Sequence, residues 1–313
     1  MTPMSPTALS EEWPDAEAYL ATEFDVEERL GSKGTASMDR SSALAVGVTA
    51  ELLAEMGITG SIGVVLGTTS GSSQTQYEFT RDSLTRRKPY FVNPAMMPFA
   101  LMNSAASQCA IWHGMTGPNT TIAGGRLSGL NVLRYGGRLL AQSRADAVVC
   151  GAVEEHSPTR AWLQRHREGD RVLGEGAAVV LLEKPGTPRR TLAEVHRVDT
   201  RVAVDGDRRA ALAACVRRTL DGANLRARDV AAVAVSAPGA DAAEVERVAL
   251  DDVLGESGEA LPVIDPQDAV GDVGAAIGPF QLAAALDTPG WVLLTALDEG
   301  GTAGSGLIKV APP

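Results

Sequence analysis

Residues 119–150, NTTIAGGRLSGLNVLRYGGRLLAQSRADAVVC, read as strand, turn, helix and strand in close succession. The strand covers 119–123 and meets a turn at Gly124-Gly125. A helix follows from about Leu127 to Ala141, and Ala147–Cys150 is a short apolar run of the kind that forms a buried strand. Strand, helix and strand within about thirty residues is the unit from which parallel α/β sheets are built.

The same vocabulary continues on both sides. Upstream, Asp39 is a good N-cap, and Ala43, Leu44, Val46, Leu52, Leu53 and Met56 precede Gly57, which predicts an amphipathic helix with a start and a stop signal. Residues 61–66 form an apolar run ending in the small-residue loop 67–71, and 97–113 reads as one helix. Downstream, 177–183 is another strand after Gly174-Glu175-Gly176. The second half predicts helices at 207–220, 241–253 and 279–286, strands at 230–236, 263–264, 291–296 and 305–310, and a Gly-rich loop at 271–278. Similar order in two halves suggests an internal duplication, with the Pro-Gly-Thr-Pro stretch 185–188 as the seam. The division expected is a tail or loosely docked segment over 1–30, one half over 31–186 and another over 187–313, the halves sharing one core.

Composition narrows the function. The 313 residues carry 28 Lys+Arg against 39 Asp+Glu, a net charge of −11, which argues against a nucleic-acid or anionic-membrane binder. Aromatics at 4% weaken a base-stacking reading, and 44% hydrophobic residues support a substantial core. No charge-free apolar run has the ~18 residues of a spanning helix. With no secretory pattern in 1–20, a cytoplasmic location is expected. Cys109, Cys150 and Cys215 fit neither a disulfide framework nor a zinc site. His113, His156, His166 and His196 lack metal-ligand spacing, so no metal is expected.

A search by mechanism finds no convincing active site. There is no GxxxxGK[ST] phosphate loop. The turn at 124–129 resembles a nucleophile elbow only superficially, because its Gly-x-x-Ser-Gly spacing does not put Ser128 at the sharp turn. The pairs Glu154-Glu155 and Asp251-Asp252 are of a kind common on solvated faces.

Five segments taken together resemble the β-ketoacyl synthase family of the thiolase fold: GSKGTASMDRSSALAV (31–46), VNPAMMPFALMNSAASQCAIWHGMTGPNTTI (92–122), SRADAVVCGAVE (143–154), GEGAAVVLLEK (174–184) and EGGTAGSGLIK (299–309). The resemblance covers roughly 31–313 and implies a thiolase-like α/β fold, layered αβαβα, with two duplicated βαβ-type halves. The family's opening strand and loop are not visible before residue 31, so the N-terminal half is expected to be truncated.

The departures from the family pattern matter more. Working relatives carry a nucleophilic Cys in a TACSSG-like block; here the block is AGGRLSG and the position falls on Arg126. An arginine cannot accept an acyl chain, and its permanent charge sits where a helix dipole least favours cations. The histidine of an AHGT-like block falls on Pro238, and the Lys and His of a KSxxGH-like block fall on Gln267 and Asp272. Four coordinated losses on a retained scaffold resemble the chain length factor, the noncatalytic partner of a ketosynthase in type II polyketide synthases. Its aromatic members usually place Gln where this chain has Arg126.

That resemblance implies a heterodimer with a catalytic ketosynthase subunit, transient contact with an acyl carrier protein through the complex, and no cofactor, nucleic acid or membrane. Dimers of this family join strands across a two-fold, here Asn119, Thr120, Thr121, Ile122 and Ala123. Each subunit also pushes a segment into its partner's substrate tunnel, here 93–102, with Met96, Met97, Phe99 and Met102 as floor or gate. The same residues also fit an ordinary interface core. Arg126 is expected to pair with Asp272 and fill the dead pocket, and Glu175 to tie loops together. An acidic carrier is a poor match for a −11 subunit, so its docking is expected mainly on the ketosynthase, with Arg81, Arg86, Arg87 and Lys88 either a local patch or a solvated face. Two other readings stand: a diverged acyltransferase or hydrolase using Ser128, and a purely structural stabiliser of the ketosynthase.

Overall fold

The computed structural model describes residues 6–10, 13–57, 60–168, 171–255 and 261–312. The chain opens with a short antiparallel pair, β1 (Thr7–Ala8) and β2 (Glu17–Ala18), and a one-turn helix, α1 (Val26–Leu30). Helix α2 (Arg40–Met56) starts and stops as expected: the Asp39 side chain accepts from Ser42 N–H, and Gly57 ends it in the left-handed conformation. Then follow β3 (Ile62–Thr68), α3 (Ser73–Thr85), α4 (Ser104–His113), β4 (Asn119–Ala123), α5 (Ser128–Ala141), β5 (Ala147–Glu154), α6 (Pro158–Glu168) and β6 (Gly176–Glu183). The single helix expected over 97–113 is divided. Pro94–Ala100 is a 3-10 turn with Pro98 inside it, since proline lacks an N–H and clashes with the preceding turn, and α4 begins only at Ser104.

The second half comprises β7 (Ala193–Val202), α7 (Arg208–Ala223), β8 (Val230–Ala234), α8 (Gly239–Leu254), β9 (Val263–Ile264), α9 (Gln267–Val270), α10 (Ile277–Ala285), β10 (Gly290–Leu297) and β11 (Thr302–Val310). The first sheet has the order β4-β3-β5-β6, with β6 antiparallel to its neighbour and the rest parallel. The second has the order β9-β8-β10-β11-β7, again parallel until β11 reverses. Position by position, β3, β4, β5 and β6 match β8, β9, β10 and β11. Only β7 lacks a counterpart among the described residues, and the matching strand order makes the duplication visible.

Five layers result. Helices α2 and α4 cover the first sheet, α7 covers the second with α8 packed on α7, and α5 and α10 lie between the sheets. The central core takes Val65, Leu130 and Val148 from one half and Ala232, Leu294 and Ile308 from the other. At the crossing of the middle helices a Cβ on Gly129 would sit 2.5 Å from the Gly278 Cα. Two glycines are what allow α5 and α10 to touch at backbone distance.

Residues 13–24, expected as part of a tail or loosely docked segment, are docked. Trp13 stacks on His156 at 5.0 Å between ring centroids, Tyr19 N–H donates to Leu173 O at 2.9 Å, and Ala21 N–H donates to Glu175 Oε1 at 3.1 Å. Among the described residues no helix is long and apolar enough to cross a membrane.

Candidate functional site

The turn between β4 and α5 places Arg126. Gly125 holds φ at +55°, and a Cβ there would run into the Asp298 carboxylate, so a glycine is required. Arg126 follows in a short 3-10 turn and is 6% exposed. Its guanidinium forms an ion pair with Asp272 and donates from Nη1 to Ser236 O at 2.9 Å. Its backbone N–H donates to Asp298 Oδ2 at 3.1 Å. The expected Arg126–Asp272 pair is present.

Around this pair the cluster closes. Arg171 Nη1 approaches Asp272 Oδ2 at 3.3 Å, and the same guanidinium pairs with Glu299. Gly274 N–H donates to Asp272 Oδ1 at 2.9 Å, and Arg160 Nη2 donates to the Asp272 carbonyl at 2.9 Å. Burial alone would raise the Asp272 pKa; the guanidiniums of Arg126, Arg160 and Arg171 and the Gly274 amide overcome it and hold the carboxyl down to about 2. Pro238 precedes α8, and Gln267 Nε2 donates to Ala237 O at 3.0 Å. Arg126, Pro238, Gln267 and Asp272, the positions where the resemblance expects catalytic groups to be lost, therefore surround one place. Buried Glu246 holds the 236–238 loop by accepting from Ala237 N–H at 2.7 Å.

This arrangement holds no nucleophile. Ser128 is fully buried; its Oγ accepts from Gly124 N–H at 3.0 Å and donates to Ile122 O at 3.1 Å. The carboxylate that would have to serve it as a base, Asp272, is engaged by arginines. Burial pushes the Cys109 and Cys215 thiols up to about 12 and raises Cys150 too, so none forms a ready thiolate. Among the described residues no group of three or more His, Cys, Asp or Glu is placed to hold a metal ion.

Glu154 and Glu155, read from the sequence as a solvated pair, are 1% and 2% exposed. Glu154 ends β5, accepts from Thr69 and Ala275 amides, and has its pKa raised by burial against the pull of Arg160. Burial, reinforced by nearby Asp39, pushes Glu155 up to about 7, although Gln74 N–H donates to it at 3.2 Å. Asp39 is raised by burial as well. Glu175 does tie loops together: it accepts from Arg40 Nη2 at 2.7 Å, Ala21 N–H at 3.1 Å and His156 N–H at 3.3 Å.

The 94–102 segment presents a mixed surface. Phe99 is buried in its own chain at 7% exposure, so it supports the segment instead of facing outward, and Met96 is half-buried. Met97 and Met102 are 45% and 50% exposed, beside exposed Leu101, Tyr90 and Phe91. β4 is a sheet edge, and the Thr121 hydroxyl on it is buried without a hydrogen-bond partner. In the basic run, Arg81 and Arg86 both pair with Asp82.

Residues 5–186 match the β-ketoacyl synthase N-terminal domain. The chain belongs to the β-ketoacyl synthase family. Within it, the chain is 25% identical over 219 residues to the 3-oxoacyl-[acyl-carrier-protein] synthase 2 of Vibrio cholerae, covering 61% of this chain and 52% of that one, and so spans about half of that relative's length. It is 28% identical to the tetracenomycin polyketide synthase ketoacyl synthase alpha subunit of Streptomyces glaucescens, covering 86% of this chain and 75% of that one. Among solved structures, the ishigamide ketosynthase/chain length factor superimposes with a TM-score of 0.90 at 35% identity, covering 98% of this chain and 91% of the other. The fold is thus the thiolase-like fold of ketosynthase and chain length factor structures.

Proposed function

We propose that this chain is a chain length factor, a ketosynthase-like subunit without condensing activity that pairs with a catalytic ketosynthase and shapes its acyl tunnel while the chain grows on an acyl carrier protein. The observation that carries this is Arg126: where the resemblance puts the family's nucleophile, a buried guanidinium is paired with Asp272 and Ser236 O, and the backbone N–H of the same residue is held by Asp298. Likeness to a ketosynthase/chain length factor structure at 35% identity supports it. In this reading the open edge of β4, Asn119–Ala123, pairs with the ketosynthase, and the partner offers the unpaired Thr121 hydroxyl a hydrogen bond. The exposed Met97 and Met102, backed by Met96 and Phe99, enter the partner's tunnel, where one more two-carbon unit than fits costs about 1–3 kcal/mol of overpacking. The carrier docks mainly on the ketosynthase, because this chain carries a net charge of −11 and its basic run 81–88 has two of four cations, Arg81 and Arg86, tied to Asp82. Residues 31–186 and 187–313 are the two halves of the unit, and the complex works in the cytoplasm.

Co-expression with the ketosynthase encoded beside it tests this. A one-to-one complex that elongates carrier-bound chains only when both proteins are present is expected. Condensing activity of the isolated chain, or an assembly that ignores the ketosynthase, would overturn the reading.

A further inference from the structure

The two exposed methionines of 94–102 leave the chain from differently held backbone. Met97 lies in the 3-10 turn Pro94–Ala100, whose cap is the exposed Asn93 side chain accepting from Ala95 N–H at 3.1 Å. Met102 lies beyond that turn, two residues before α4 begins at Ser104. Its side chain is exposed while its backbone is clamped from two sides.

On one side is the loop after β3. Gly71 holds φ at +69°, and a Cβ there would lie 2.9 Å from Met102 Cα and 3.6 Å from Leu101 O, so only a bare glycine lets Met102 rest directly on this loop. The loop is itself tied: Gly71 N–H donates to Thr68 Oγ1 at 2.9 Å, and Gln76 Nε2 donates to Ser70 O at 2.6 Å. On the other side is Ser104. Its N–H donates to Leu101 O at 3.0 Å and closes a turn around Met102. Its hydroxyl donates to Asp39 Oδ2 at 3.3 Å and lies 2.9 Å from Ser42 Oγ. Asp39 is buried and also caps α2, a 17-residue helix packed on the first sheet, by accepting from Ser42 N–H at 3.0 Å. One carboxylate thus registers the start of α4 against the start of α2.

Methionine is unbranched and flexible, so precision in where its tip lies has to come from the backbone that carries it. A tunnel floor on a yielding backbone would give way to one more two-carbon unit instead of resisting it. We infer that Asp39 is a positioning residue for product length: acting through Ser104, with Gly71 as the opposing stop, it fixes where Met102 leaves this subunit. This holds only on the reading of 94–102 as entering the partner's tunnel. Of the two exposed methionines it makes Met102 the one whose setting decides length, and it puts control of that setting on a buried residue that touches neither the partner nor the growing chain.

The test is made on the full chain co-expressed with the ketosynthase encoded beside it, with carrier-bound products sized by mass spectrometry. Ser104→Ala is expected to raise the ratio of longer to shorter chains by about fivefold, the weight of one net hydrogen bond. Asp39→Ser, which still caps α2 but is too short to hold Ser104, is expected to do the same. On a Met102→Ala background Ser104→Ala is expected to shift nothing further, since both changes act on one side chain. In the isolated chain Ser104→Ala is expected to speed hydrogen exchange over 101–106 and leave 94–97 as before. Should alanine prevent pairing, Ser104→Cys makes the same comparison with a side chain of similar size and a poorer donor. Lower yield at unchanged length, while Met102→Ala lengthens the products, overturns the role of Asp39 and leaves the functional reading standing. So does a shift with Ser104→Ala but none with Asp39→Ser, an equal shift with and without Met102, or exchange that is unchanged or raised equally in both stretches. Unchanged length from intact complexes of both Ser104→Ala and Met102→Ala ends the tunnel reading of this segment, and the role of Asp39 with it.

Discussion

Arg126 and Asp272 stabilise each other only as a pair. Asp272→Asn leaves the buried Arg126 guanidinium without its carboxylate and should cost about 3–5 kcal/mol in denaturant unfolding, whereas Arg126→Leu combined with Asp272→Leu should cost clearly less than the sum of the single changes. Glu155 has the opposite sign. Its folded pKa of about 7 lies above the ordinary glutamate value of 4.5, so the folded chain binds the extra proton between those values and stability falls as pH rises through that window. Glu155→Gln mimics the protonated form; it should leave stability unchanged at pH 4 and raise it at pH 8 by up to about 3 kcal/mol, read from melting curves at the two pH values. The substituted positions were legible because each stood in a recognisable block. The side chains that complete the cluster, Arg160, Arg171, Asp298 and Glu299, come from three separate stretches of chain, and no spacing in the sequence links them. Glu154 and Glu155 escape for the same reason: adjacent carboxylates look solvated until a strand carries them into the centre, where two backbone amides hold Glu154 Oε1 and Arg160 Nε lies 3.9 Å from Oε2, which has no hydrogen-bond partner.

At the scale of elements, α5 offers a paired test. Gly129→Ala puts a Cβ 2.5 Å from the Gly278 Cα and should cost about 1–3 kcal/mol or more by forcing α5 and α10 apart. Gly137→Ala, on the same helix with nothing within 4 Å, should instead stabilise by about 0.5–1 kcal/mol. Equal effects in thermal unfolding would refute the close-crossing account. The 94–102 segment has its own test: Met97→Ala or Met102→Ala should lengthen the products of the heterodimer, and unchanged products from an intact complex would reduce the segment to interface packing. Most strands and the main helices were readable from apolar runs, caps and glycines. α3 was not, because only Ser73 of its thirteen residues is buried and it shows no apolar stripe. β7 escaped because a register shift opposite Leu307/Ile308 breaks its alternation and charges fill it. The helix expected over 97–113 begins only at Ser104, because Pro98 has no N–H to donate and keeps 94–100 as a 3-10 turn.

Seen whole, the molecule has no seam at which its halves can part. Both sheets bury their inner faces on α5 and α10, and one core draws residues from both sides of 185–188. Calorimetry should therefore show one cooperative transition, and two resolved transitions would mean the halves fold independently. The buried ion cluster has a further consequence, for descent. Placing Cys at 126 alone would leave Asp272 with one guanidinium fewer; placing His at 272 alone would leave buried Arg126 without its carboxylate, while Arg171 keeps Glu299. Each first step back carries a penalty of about 3–5 kcal/mol against a total stability of about 5–15 kcal/mol. On the proposed function the cluster acts as a ratchet: in a subunit whose pocket is filled with mutually dependent charges, the first single substitution toward a condensing enzyme removes a large part of the stability.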